Sequence, residues 1–211
     1  MNNKPVAKAV LCAALLASAL SVTGCFPLVV GGVAMGAAAT ADRRTLGAQT
    51  EDKSITVKAE MRLGKLGGDN GHINIASFNR KVLITGEVPD AATKATAERE
   101  VRAIEGVQSV ENELIIAGPA SYTSRSSDAL VTTKVKASLV EMTTISAASF
   151  KVVTENGTVY LMGRVTQREG DVATNVTRGV TGVQKVVKLF EYITEEELRA
   201  ITPQATQSIQ L

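Results

Sequence analysis

The chain of 211 residues carries 23 basic and 21 acidic side chains, one histidine, two cysteines, no tryptophan and 3% aromatics. A net charge of +2 supplies no global basic field for nucleic acid, and two cysteines are too few for a disulfide framework or a cysteine-rich zinc site. This length suits one or two small domains.

At the N terminus, Lys4 and Lys8 precede an apolar run from Ala9 to Leu20, the n- and h-regions of a secretory signal. Val22-Thr23-Gly24-Cys25 then resembles the lipobox of bacterial lipoproteins. That resemblance implies removal of a signal peptide, residues 1–24, diacylation of the Cys25 thiol and acylation of the new amino terminus. The alternative, an ordinary signal cut near Ala17-Ser18-Ala19, leaves a free cysteine. Loss of Lys4 and Lys8 leaves 21 basic (23 minus 2) and 21 acidic side chains, so any electrostatic function is local.

The charge-free stretch 9–41 is long enough for a membrane helix. Pro27, Gly31, Gly32 and Gly36 interrupt it, and processing leaves only Phe26–Ala41. Gly32-Val33-Ala34-Met35-Gly36 matches the small-xxx-small packing pattern, but the favoured reading of residues 25–49 is an apolar, Gly/Ala-rich tether at the lipid surface. Phe26 stands where an aspartate marks inner-membrane retention in enteric-type lipoproteins, which implies the outer membrane. Arg43-Arg44 either touches headgroups or belongs to a solvated linker.

Beyond the tether the chain repeats itself. Residues 50–118 and 127–195 align at an offset of 76 or 77, in three blocks. Ile55-Thr56-Val57-Lys58 matches Val131-Thr132-Thr133-Lys134, Val82 to Val88 matches Val159 to Val165, and Gly106-Val107-Gln108-Ser109-Val110 matches Gly182-Val183-Gln184-Lys185-Val186. Each copy opens with an amphipathic helix, burying Ile55, Ala59, Leu63 and Leu66 or Val131, Val135, Leu139 and Met142. Asp52 and Asp128 read as N-caps or first-turn acids. A hairpin follows, Phe150–Thr154 and Thr158–Met162 in the second copy, with Asn156-Gly157 as its turn and Asn79-Arg80 as the first copy's version. A second helix buries Ala97, Val101 and Ile104 or Val172, Val176 and Val180, and Gly106 and Gly182 read as its C-cap. A last strand lies within Val107–Ile116 or Val183–Ile193. The order helix–strand–strand–helix–strand predicts an α+β unit with two helices on one face of a small mixed sheet. Residues 119–126 read as a polar linker short enough for the copies to pack on each other, and residues 196–211 as a tail, disordered from Pro203.

The αββαβ order, Gly86 and Gly163 closing the second strands, and the Gly-Val-Gln-x-Val block resemble BON domains of bacterial envelope proteins. Lipobox, Gly/Ala-rich tether and two such domains together resemble the dual-BON outer-membrane lipoproteins, over the mature chain to about Glu195. The resemblance implies a non-enzymatic lipoprotein on the periplasmic side of the outer membrane. Its second BON domain is expected to bind anionic phospholipid, chiefly phosphatidylglycerol, through that domain's first helix, supporting envelope integrity and enriched at the division site.

Residues 50–118 carry nine basic and eleven acidic side chains, and residues 119–195 carry nine and seven, so the second copy is the more cationic. Arg125, Lys134 and Lys136 lie along or just before its first helix, and each cation near an anionic surface contributes roughly 1 kcal/mol. Leu130 is either an interfacial contact or a core residue. Family members carry an aromatic there by expectation, and leucine lacks tryptophan's interfacial preference. The expected lipid contacts are therefore Arg125, Leu130, Lys134 and Lys136. An envelope protein partner docking on the same residues is the alternative. His72, in a loop without cysteine partners, does not suggest a metal site, and Gly67 to Gly71 is not a phosphate-binding motif. The sequence calls for no cofactor.

Overall fold

The computed structural model describes residues 42–66, 68 and 71–201. The signal segment, Cys25, the tether through Ala41, three of the five residues Gly67–Gly71 and the tail from Thr202 lie outside the described residues. The first copy comprises α1 (Leu46–Leu63), β1 (His72–Phe78), β2 (Lys81–Val88), α2 (Ala91–Arg102), β3 (Ser109–Asn112) and β4 (Ile115–Ile116). The second comprises α3 (Tyr122–Val140), a 3-10 turn at Ala147–Ser149, β5 (Phe150–Glu155), β6 (Thr158–Val165), α4 (Gln167–Arg178) and β7 (Lys185–Tyr192), followed by α5 (Glu195–Ile201). In each copy the first two strands pair antiparallel and the last runs parallel to the middle one, which gives the expected mixed sheet.

The first helices start earlier than their apolar periodicity suggests. Thr45 and Ser121 are the N-caps, their hydroxyls accepting from the amides of Ala48 and Ser124 at 3.1 Å. Both are hydrogen-bonding hydroxyls of the kind that favours this position. The segment 119–126 is therefore mostly helix rather than linker, and α1 begins inside the stretch read as tether. It follows that Asp52 and Asp128 are neither caps nor first-turn acids. Each lies seven residues past its cap and is buried.

The buried aspartates close the hairpins instead. Asp52 accepts from the amides of Asn79 at 2.7 Å and Arg80 at 2.9 Å, and Asp128 from those of Asn156 and Gly157 at 2.9 Å each. Both turns have positive φ at both central residues: 49° and 65° at Asn79 and Arg80, 48° and 70° at Asn156 and Gly157. Such a turn leaves two amides pointing away from the ladder, and the helix carboxylate satisfies them. Gly106 and Gly182 are likewise not C-caps, because the second helices end at Arg102 and Arg178. They occupy the following turn with φ of 91° and 101°, where a β-carbon would lie 2.6 Å from Glu51 Oε1 or 2.7 Å from Val131 Cγ2. In α4 the deepest positions are Ala173 and Thr177, with Val172, Val176 and Val180 half-buried beside them.

The middle strands are buried on both faces. Val82, Ile84 and Val88 point into the helix-covered core of the first copy, and Val159, Leu161 and Val165 into that of the second. The alternate residues Leu83, Tyr160 and Met162 meet each other, together with Ala76 and Phe78, in a third cluster between the two sheets. The copies thus stack sheet against sheet with helices outside. Both hairpin turns reach across the seam: the Asn79 side chain donates to Glu191 of the other copy, and the Asn156 side chain donates to the buried Glu87 at 2.6 Å.

Candidate functional site

Helix α3 carries the residues singled out in the second copy. Asp128, Val131, Val135 and Leu139 are buried, which turns the opposite face outward. Leu130 is 62% exposed, so the core reading of that residue does not hold. Lys134, one turn on, is exposed beside it, and Lys136 is exposed on the helix flank. Arg125 is tied rather than free: its Nε and Nη2 donate to the Ala120 carbonyl at 3.3 and 3.1 Å, and its guanidinium lies 4.9 Å from the Tyr122 ring centre. The structure therefore brings Leu130 and Lys134 together, sets Lys136 to one side, and uses Arg125 to brace the start of the helix.

Two exposed side chains on this helix escaped the sequence reading, Tyr122 at 84% and Val140 at 71%. Tyr122 falls in the segment 119–126 that reads as linker, and only Ser121 as the cap places it on the helix. It is an exposed aromatic two turns before Leu130.

Arg43 and Arg44, near the end of the stretch read as tether, neither reach outward nor lie solvated. Arg43 makes a bidentate pair with Glu169 at 2.7 Å to each oxygen and donates to the Arg164 carbonyl at 3.0 Å. Glu169 also accepts from the Thr166 amide in the capping box of α4. Arg44 donates to Asp42 and Asp52 at 2.7 Å each and stacks 4.2 Å from the Phe78 ring centre. Consecutive arginines thus fasten the arm to both domains. Burial opposes ionisation of Asp52, but the Ser77 hydroxyl, the Arg80 and Asn79 amides and Arg44 outweigh it and hold this carboxyl below its ordinary value. At Glu169 burial is likewise outweighed, by Arg43 and the Thr166 amide.

Two cavities flank the seam between the sheets. One, of about 310 Å³, has Arg125, Asp128 and Thr132 of α3 facing His72 and Asn74. His72 is thus the first residue of β1 and not a loop residue. Glu155 lines this cavity, and burial, reinforced by Glu87 and Asp128 against the opposing influence of His72, raises its carboxyl above the usual value. The other, of about 470 Å³, has Arg44, Lys53 and Val57 facing Ser77 and Lys151. Burial, with Arg44 and Lys136 nearby, lowers the Lys151 ammonium. Among the described residues no cluster of three metal-ligating side chains occurs, and no helix is long and apolar enough to cross a membrane.

Comparison with known proteins agrees with this architecture. The BON domain family matches residues 51–118 and 127–194. The chain is 36% identical over 183 residues to the outer membrane lipoprotein DolP of Haemophilus influenzae, covering 86% of this chain and 95% of that protein. It is 31% identical to a 21 kDa hemolysin of Actinobacillus pleuropneumoniae, covering 72% and 79% of the two chains. It is 29% identical to the osmotically inducible protein Y of Escherichia coli, covering 64% and 70%.

Proposed function

Because the chain belongs to the dual-BON DolP family, we propose that it is an outer-membrane lipoprotein, acylated at Cys25, whose second BON domain reads anionic phospholipid through α3. It is a binding module and not a catalyst. Its tether faces the periplasm, and lipid recognition concentrates it where anionic lipid accumulates, the division site included, in support of envelope integrity.

The observation that carries the lipid reading is the outward pairing of Leu130 with Lys134 on a helix whose inner face is already filled by Val131, Val135 and Leu139. The apolar side chain suits the acyl boundary, and the ammonium suits the headgroup phosphate. Lys136 adds a second cation on the flank, and Arg125 contributes by orienting Tyr122. With roughly 1 kcal/mol per cation, the contact is weak and salt-sensitive, which fits a protein already held by acyl chains.

Flotation of the chain without its acylated cysteine, residues 26–211, tests this. Binding to phosphatidylglycerol vesicles that weakens in high salt and is lost in Leu130→Ser/Lys134→Glu is the expected result. Equal binding to zwitterionic vesicles, or none to either, overturns it and leaves the α3 face to an envelope protein partner.

A further inference from the structure

We propose that the lipid-facing surface is shared by both domains, with α1 of the first domain forming its second half and the anionic leaflet that holds Cys25 as its occupant. This inference rests on the reading of α3 as a lipid contact.

Both first helices border one edge of the stacked sheets. β1 and β5 are each the outermost strand of their sheet, and Lys151 Nζ on β5 donates to the Ser77 carbonyl on β1 at 3.0 Å. Helix α1 lines this edge through Lys53 and Val57, which face Lys151 across the larger cavity. Helix α3 lines it through Arg125 and Ala129, which face His72 across the smaller one. With the repeat offset of 76, Lys53 is the counterpart of Ala129, and Leu46 of Tyr122. The two helices therefore present the same flank to the same edge.

On α1 that flank carries exposed apolar side chains and one lysine, Lys53. Leu46 is 71% exposed, as is its counterpart Tyr122 at 84%, and Val57 is 52% exposed. Lys53 and the half-buried Lys151 line the larger cavity, and Lys136 of α3 lies near Lys151. Glu60 shares the α1 flank, and Asp52 is consumed by its hairpin and Arg44. The identity of the occupant comes from the tether. The chain that leads from Cys25 arrives at Asp42, and Arg44 lines the larger cavity, so the acylated segment joins the molecule at this edge, four residues before Leu46. Exposed leucine, valine and lysine beside the point of attachment complement an anionic lipid surface.

The chain has no tryptophan, so Leu46→Trp and Leu130→Trp each give a single fluorescent reporter in the unacylated mature chain. Both are expected to shift to the blue on phosphatidylglycerol vesicles. Lys53→Ala is expected to weaken flotation about fivefold, as loss of one interfacial cation implies. Unchanged thermal unfolding of these surface variants confirms that folding is intact. A shift at position 130 alone, with Lys53→Ala binding like the parent, overturns the shared surface and leaves the α3 reading standing. No shift at either position removes both. A shift at position 46 that depends on protein concentration without vesicles overturns the proposal in favour of a second copy on α1.

Discussion

Arg43 grips Glu169 through both guanidinium nitrogens at 2.7 Å, although 126 positions separate them, and both side chains are nearly closed to solvent at 10% and 3% exposure. Removing one partner leaves the other charge buried alone, which costs about 3 kcal/mol in comparable pairs. Arg43→Ala is expected to destabilise the chain by that order in urea unfolding. Arg102→Ala, at an exposed pair of similar length, changes stability by less than about 0.5 kcal/mol. The Arg43 pair is bidentate and buried where the Arg102 pair is single and exposed, and both differences favour the larger loss at Arg43.

The aspartate clasps give a second, paired expectation. Hydrogen bonds to a charged group are worth about 1.5–3 kcal/mol, and Asp52 engages more donors than Asp128 because Ser77 and Arg44 join the turn amides. Asp52→Asn is expected to destabilise more than Asp128→Asn. Amide exchange measures this locally, with Arg80 or Gly157 losing protection in the matching variant.

Acid stability follows from the lowered carboxyls of Asp52 and Glu169. A carboxyl whose folded value is depressed stabilises fully above its unfolded value, roughly pH 4, and loses that contribution as pH falls through the folded value. The chain is therefore expected to lose stability below about pH 4, and Glu169→Gln to flatten that dependence. Unfolding midpoints between pH 2 and 7 check the slope.

Glu155 has the opposite sign, since burial first, and then Glu87 and Asp128, raise it. Its contribution is complete at low pH and is lost as pH rises through the folded value. Glu155→Gln keeps an acceptor for the Thr85 hydroxyl, 3.2 Å away, and is expected to stabilise the chain at neutral pH. The advantage shrinks below pH 4, where the parent carboxyl is itself neutral.

Much of this arrangement was written in local patterns, and what was missed had physical reasons. The internal repeat, the apolar faces of the two first helices and the Asn156-Gly157 turn each depend on short-range periodicity or backbone preference and appear as expected. The α4 face, by contrast, is centred on Ala173 and Thr177 instead of Val172, Val176 and Val180. The aspartates were misplaced because an acid just before an apolar stripe looks like a helix start; only the turn amides 27 to 29 positions away explain them. Arg43 and Arg44 read as headgroup contacts or a solvated linker for the same reason, since Glu169 and Phe78, which hold them, are remote in sequence. The stacking of the sheets left a trace that alternation alone could not use: Val82-Leu83-Ile84 and Val159 to Met162 are unbroken apolar runs, the mark of a strand covered on both sides. On the α3 face Leu130 and Lys134 could be named from sequence, but Tyr122 required the true helix start.

The face-to-face sheets have a consequence for the ancestry of the duplicated chain. A lone copy exposes the equivalent of Ala76, Phe78 and Leu83, or of Tyr160 and Met162, an apolar face that a solitary soluble unit does not tolerate. A two-fold homodimer would cover it; the present seam contacts, Asn79 to Glu191 and Asn156 to Glu87, join counterpart asparagines to glutamates that are not counterparts. Fusion through the few residues between Ile116 and Tyr122 makes that dimerisation intramolecular, independent of how dilute the protein is. Once partners are joined in a fixed pair, each half is free to diverge, and an acidic half and a basic half can specialise without losing one another.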